Sequence, residues 1–191
     1  MKRIFDFVLS LLLIIILSPL LVLIALLIRF ESKGNPLFIQ KRPGKNHESF
    51  TIYKYRTMKI DTPDIPTNEF EDRNKHITKV GKFLRITSLD ELPQLFNILK
   101  GDMSFVGPRP PLFSQEDLIE NREQAGIDKL KPGITGWAQI NGRDSMDDYQ
   151  KFKYDLYYFK NQSFLLDLKI ICLTFLKVIK AEGIIEKEDK D

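Results

Sequence analysis

The residues best suited to chemistry lie in one stretch, Leu84 to Pro111, which reads LRITSLDELPQLFNILKGDMSFVGPRPP. Asp90 and Glu91 are adjacent acids, with Arg85 upstream and Arg109 downstream between Pro108 and Pro110. Paired carboxylates between arginines suit a phosphate diester held with magnesium. The acids can ligate or attack, and each planar guanidinium makes two-point contact with phosphate oxygens. A structural reading competes with this one. Ser88 and Glu91 have the S-x-x-E spacing of a capping box, and acids favour helix N-termini for electrostatic reasons alone. Pro93 favours a helix starting near Asp90, because a proline is harmless only in the first turn. The acids then sit at a helix mouth, where backbone N–H groups face an incoming anion.

Three more basic residues are candidates for phosphate or nucleotide contact. Lys54 and Arg56 share one face of a predicted strand, Phe50–Thr57, which pairs with Pro36–Arg42 around a polar turn holding Gly44, Lys45 and Asn46. A solvated strand face is the plain alternative. Arg143 closes Pro132–Arg143, PGITGWAQINGR, a glycine-punctuated loop of twelve residues whose backbone can approach a ligand. Trp137 within it reads as a packing residue.

The elements that must position these groups follow from periodicity and punctuation. Ile77–Ile86 is an amphipathic helix, with Ile77, Val80, Phe83 and Leu84 on one side, that delivers Arg85 to the acids. Leu92–Leu99 continues the central helix, which Lys100-Gly101 ends. Met103–Val106 is a short extended piece, and Pro108-Arg109-Pro110-Pro111 is stiff and extended. A helix capped by Ser114 runs to Ala125, and another starts from a Ser145/Asp148 capping box and runs to about Lys160. Ser163–Ala181 is a broadly apolar helix with lysines at its polar boundary, suited to the core or to the membrane interface, with Tyr157, Tyr158 and Phe159 close by favouring the interface. Asp61–Lys75, with Pro63 and Pro66, is a surface loop.

Val8–Ile28 is apolar apart from Ser10, Ser18 and Pro19, and no small-residue cleavage site follows it. As one helix it is about 31 Å long, enough to span a bilayer core. Pro19 near its middle removes the bond to the Ile15 carbonyl, which the Ser18 hydroxyl can take up. Lys2 and Arg3 precede the run, and Arg29 and Lys33 follow it, so both ends carry the positive charge of a cytoplasmic flank. A simple span and a hairpin re-entering the same leaflet, broken at Ser18-Pro19, both fit.

Composition bounds the rest. The chain has 191 residues and a net charge of +3, which suits anionic lipid or substrate without calling for nucleic acid. One cysteine, Cys172, allows no internal disulfide, and His47 and His76 stand alone without metal-ligand spacing. The expected class is α+β and mainly helical, with an N-terminal re-entrant membrane helix, a small β-hairpin and amphipathic interface helices. The expected division is a membrane helix at 1–31, a cytosolic catalytic domain at 32–183 and a charged tail at 184–191.

Several ordered motifs together resemble one family. They are Lys2-Arg3 with Ser18-Pro19, Lys54-Tyr55-Arg56-Thr57-Met58, Ser88-Leu89-Asp90-Glu91-Leu92-Pro93-Gln94-Leu95 and Lys100-Gly101-Asp102-Met103-Ser104. Val106-Gly107-Pro108-Arg109-Pro110 and Pro132-Gly133-Ile134-Thr135-Gly136 through Gly142-Arg143 complete the set. The chain resembles the bacterial sugar transferases, monotopic polyprenyl-phosphate phosphoglycosyl transferases, in the form without a preceding multi-span domain. The resemblance implies transfer of a sugar-1-phosphate from a UDP-sugar to undecaprenyl phosphate at the cytoplasmic face of the bacterial inner membrane, with release of UMP. It implies Asp90 as nucleophile, Glu91 in support, Mg2+ as cofactor, and downstream glycosyltransferases as partners. Tyr55 stands where the family usually has Phe, and Asp144 where Asn is common. A non-catalytic scaffold of a polysaccharide assembly complex is the alternative from another class. A glycoside hydrolase fits less well, because its two acids lie about 5–9.5 Å apart on separate elements.

Overall fold

The computed structural model describes residues 2–60, 62, 75–142 and 146–179. Arg143, Asp144 and Ser145, nearly all of the loop at 61–75, and the tail lie outside the described residues. The class is α+β and mainly helical, as expected. Helix α1 spans Lys2–Glu31, and strands β1 (Leu37–Pro43) and β2 (Ser49–Tyr55) form an antiparallel hairpin. The hairpin turn places Asn46 and His47 at positive φ, a region polar residues tolerate. Helices α2 (Lys79–Thr87) and α3 (Gln94–Lys100) follow, then β3 (Ser104–Val106), α4 (Glu116–Gln124), β4 (Gly133–Thr135), α5 (Trp137–Asn141), α6 (Asp148–Lys160) and α7 (Phe164–Ile179).

Helix α1 continues through Pro19. The Ser18 hydroxyl donates to the Ile15 carbonyl at 2.9 Å, the carbonyl that proline leaves without its usual donor. One face of α1 is buried through Asp6, Ser10, Leu21, Ile24 and Ile28, with steps of three or four residues between Leu21, Ile24 and Ile28. That face crosses both clusters of the core. The first centres on Leu95, Ile98, Met103, Phe105 and Ile170, and the second joins Leu21, Ile24 and Ile28 to Tyr55 and Leu84. The opposite face leaves Ile4, Val8, Leu12, Ile15, Val22 and Phe30 exposed.

Both ends of α1 are tied to the rest of the molecule. At its start Lys2 donates to the Val106 carbonyl, the Tyr158 hydroxyl and Asp167, while Arg3 donates to the carbonyls of Ile98 and Leu99. At its end the Glu31 carboxylate accepts from the backbone N–H groups of Lys79 and Val80, serving the first turn of α2.

Three expectations need correction. The stretch 132–143 is not an irregular loop: its described part forms β4, parallel to β3, and then α5. The glycines serve backbone packing. A Cβ on Gly133 would lie 2.1 Å from the Gly107 nitrogen, and one on Gly136 would lie 2.2 Å from the Gly107 oxygen. Ser114 does not cap α4, whose N-cap is Gln115 without a side-chain cap bond. Helix α6 is capped by Asp147, which accepts from the Gln150 N–H at 2.7 Å.

Candidate active site

Local backbone geometry explains how the two acids are presented. Helix α2 ends at Ser88, a non-glycine residue in the left-handed region with φ 56°. The chain then makes one 3-10 turn, Leu89–Glu91, and α3 starts only after Pro93. Ser88 makes no side-chain cap bond, so the capping box is not formed, and the acids precede α3 by a turn rather than opening it. Pro93 has no N–H to give, which sets the start of α3 behind it. At the far end Gly101, with φ 100°, closes α3 as expected, its N–H bonding to Asn97 and Ile98.

Fully buried Asn97 joins α3 to β2. Its Nδ2 donates to the Thr51 carbonyl at 2.7 Å, and its Oδ1 accepts from the Tyr53 N–H at 3.1 Å. It completes the edge of β2 in the manner of a neighbouring strand. Lys54 follows directly, and its Nζ donates to Glu91 Oε1 at 2.8 Å. Arg109 reaches the same oxygen from the other side at 2.9 Å. Arg85 donates from Nε to the Thr57 hydroxyl at 2.9 Å, which keeps it on the α2 side of the acids. Thr57 was not singled out from sequence. It also accepts at its carbonyl from the Thr78 N–H, and a Cβ on Gly81 would lie 2.0 Å from that carbonyl oxygen.

The two carboxylates are treated oppositely. Burial raises the pKa of Glu91, but Arg109 and Lys54 more than offset it and hold the acid ionised, well below the usual range. Asp90 makes no hydrogen bond or ion pair among the described residues. Burial first, and the Glu91 charge second, push its pKa up to about 6, against the more distant Lys54, Arg109 and Arg85. The pair therefore offers one ionised, ion-paired acid and one carboxylate of raised basicity.

Not every candidate joins this cluster. Arg56 donates to the Ser32 carbonyl at 2.7 Å and secures the chain leaving α1. Arg143 lies outside the described residues. Trp137 is a packing residue, stacked on Tyr157 at 5.0 Å. It borders a separate cleft of about 550 Å³ between α5 and α6, which none of Lys54, Arg85, Asp90, Glu91 or Arg109 lines. No group of three or more metal-ligating side chains occurs among the described residues. The adjacent carboxylates of Asp90 and Glu91 suit a hydrated divalent cation of the kind held by one or two carboxylates plus substrate phosphates.

Comparison with known proteins identifies the family. The family model described as bacterial sugar transferase matches residues 1–181. An uncharacterized sugar transferase of Bacillus subtilis, EpsL, is 45% identical, over 96% of this chain and 90% of its own length. A UDP-glucose:undecaprenyl-phosphate glucose-1-phosphate transferase of Caulobacter vibrioides is 41% identical, over 95% of this chain and 71% of its own. A UDP-N-acetylgalactosamine-undecaprenyl-phosphate N-acetylgalactosaminephosphotransferase of Aeromonas hydrophila is 37% identical, over 95% of this chain but only 44% of its own length. With the match running from the start of α1 past the end of α7, the chain belongs to the bacterial sugar transferase family.

Proposed function

We propose that this protein transfers a sugar-1-phosphate from a UDP-sugar to undecaprenyl phosphate, releasing UMP, as the first membrane step of glycan assembly. The observation that carries the reading is the unpaired Asp90 beside a Glu91 already neutralised by Lys54 and Arg109. Phosphoryl transfer needs positioning and charge neutralisation more than acid–base chemistry, and the cluster supplies both. An Asp90 oxygen attacks the sugar-bearing phosphorus of the UDP-sugar, and the bond from that phosphorus to the bridging oxygen breaks. UMP leaves with that oxygen, and Asp90 carries the sugar-phosphate. An oxygen of undecaprenyl phosphate then attacks the same phosphorus, freeing Asp90 and forming the lipid-linked diphosphosugar. Two steps keep two anionic substrates from meeting in one crowded transition state. Lys54 and Arg109 hold Glu91 and the donor phosphates, and Arg85 faces the Asp90 side. Asp90 and Glu91 would hold Mg2+, whose positive charge would offset that of the diphosphate.

The reading places the protein at the cytoplasmic face of the bacterial inner membrane, where UDP-sugars are available and downstream glycosyltransferases can take the product. Helix α1 enters and leaves the same leaflet. This is supported by the ties at both of its ends, Lys2 and Arg3 at one and Glu31 at the other, and by its exposed apolar face. Exposed Phe164, Leu165, Phe175 and Leu176 on α7 extend that apolar surface. Cysteine labelling in intact cells tests the topology: a periplasmic N-terminus rules it out. For the chemistry, the protein is incubated with a panel of UDP-sugars and magnesium without lipid. A sugar-phosphate adduct on the Asp90 peptide, with UMP released, is expected. No adduct, with sequential kinetics, overturns the mechanism.

A further inference from the structure

We infer that the buried pair Arg122 and Asp155 is a positioning device for Arg109. Arg122 lies on α4 and Asp155 on α6, and their side chains are 8% and 2% exposed. Arg122 spends Nε and NH2 on a single Asp155 oxygen, and sends NH1 to the Arg109 carbonyl at 3.0 Å. A buried ion pair is weak evidence for stability, since apolar side chains of like volume often serve as well. A carboxylate-held guanidinium that gives its remaining arm to one backbone carbonyl does what an apolar pair cannot: it fixes a direction.

That direction matters because Arg109 needs outside support. Its side chain is 45% exposed, yet it must keep a 2.9 Å contact with Glu91. Prolines on both sides remove two backbone N–H groups, so the segment can be held mainly through its carbonyls. All three are taken. Pro108 O accepts from the Gly133 N–H at 2.9 Å, Arg109 O from Arg122, and Pro110 O from Arg42 at 3.5 Å. Among these, the Arg122 bond acts on the peptide unit that carries the Arg109 side chain. A chain of contacts thus runs from Asp155 through Arg122 and the Arg109 backbone to Glu91.

The inference rests on the transferase reading above, and its test separates the two. Arg122→Lys keeps a charge against Asp155 but loses the planar fork that serves two partners. It should lower the rate of UMP release about tenfold, mainly in kcat. In an Arg109→Ala background the same change should alter the rate less than about twofold, because its route to the site is already gone. Equal losses in both backgrounds, or no loss in either, overturn the inference. If Arg122→Lys does not fold, Asp155→Asn replaces it in the same cycle. If the wild-type protein releases no UMP, the transferase reading fails, and hydrogen exchange of the 107–113 peptide decides the positioning role alone. Faster exchange in Arg122→Lys supports it, and unchanged exchange overturns it.

Discussion

Glu91 and Asp167 are both largely buried acids with a lysine against one oxygen, Lys54 at 2.8 Å and Lys2 respectively. Each takes a second donor: Arg109 at 2.9 Å for Glu91, and the Tyr158 hydroxyl at 2.6 Å for Asp167. The surroundings differ. Asp167 is part of a closed network in which Lys2 also serves the Val106 carbonyl and Tyr158, and the nearby acid, Asp6, is itself committed to the Phe105 N–H at 3.2 Å. Beside Glu91 stands Asp90, which makes no hydrogen bond or ion pair among the described residues and whose pKa is raised by burial and by the Glu91 charge. Similar ingredients close on one another as a structural joint at Asp167 and leave one charge over at Asp90, the arrangement that the proposed chemistry would use.

The sharpest way to break this contrast is Asp90→Asn. UMP release should fall by at least about a thousandfold, since an amide cannot act as the nucleophile. At pH 7 the same variant should melt a few degrees higher than wild type, because it removes a charge the fold leaves uncompensated. Retained activity, or a lower Tm in calorimetry, would undo the distinction.

Next in size is the paired comparison of Glu91→Gln with Asp167→Asn. Glu91→Gln strands Lys54 and Arg109 and should slow UMP release about a hundredfold. Asp167→Asn should cost about 2 kcal/mol in denaturant unfolding, as expected for losing charge-assisted hydrogen bonds to a largely buried acid whose Lys2 partner is partly exposed. Its activity loss should track the loss of folded protein. Arg85→Lys and Arg109→Lys should each lower kcat/KM about tenfold, since the charge survives but the fork does not. Steady-state kinetics at saturating lipid reads this directly.

The smallest expected effect is in pH dependence. Asp90 must be ionised to attack, so the rate should fall as pH drops through about 6 at low magnesium. A bound cation favours the carboxylate, so higher magnesium should move that limb to lower pH. A magnesium-independent limb counts against Asp90 as a ligand. For stability the sign is opposite to that of a salt-bridged acid. The folded pKa lies above the ordinary value of 3.8, so Asp90 favours the fold below that value. This contribution is lost between about pH 4 and 6, and Asp90→Asn should flatten that part of the stability curve.

Much of the site could be read from residue type and spacing, because Asp90, Glu91, Arg109 and Lys54 combine charge with rigid local context. The failures have physical causes. Arg56 has the type and alternation of Lys54, but its partner is a carbonyl 24 residues away, invisible to strand periodicity. The glycines at 133 and 136 signal close approach, yet sequence does not say to what, and the neighbour proved to be Gly107. Ser88 had capping spacing but ended α2 in a left-handed turn. Arg122 and Asp155 meet across 33 residues, and nothing local marks either as buried. The hairpin, the end of α3 and the helical class were legible because turn and cap signals are local.

The tie between Lys2 and Asp167 sets an order of events during synthesis, since these residues are 165 positions apart. Helix α1 leaves the ribosome well before α6 and α7, yet the network that anchors its start cannot close until they exist. Such distant contacts carry a large loop-closure entropy and form late. An apolar helix without its docking face would be an aggregation hazard in water, and the bilayer offers it a place to wait. In the topology proposed above, the membrane then acts as a holdase for α1, and the rest of the fold closes around a helix already inserted. A ribosome stalled before residue 167 should therefore carry a membrane-bound chain in which Lys2 is still reactive to amine labels.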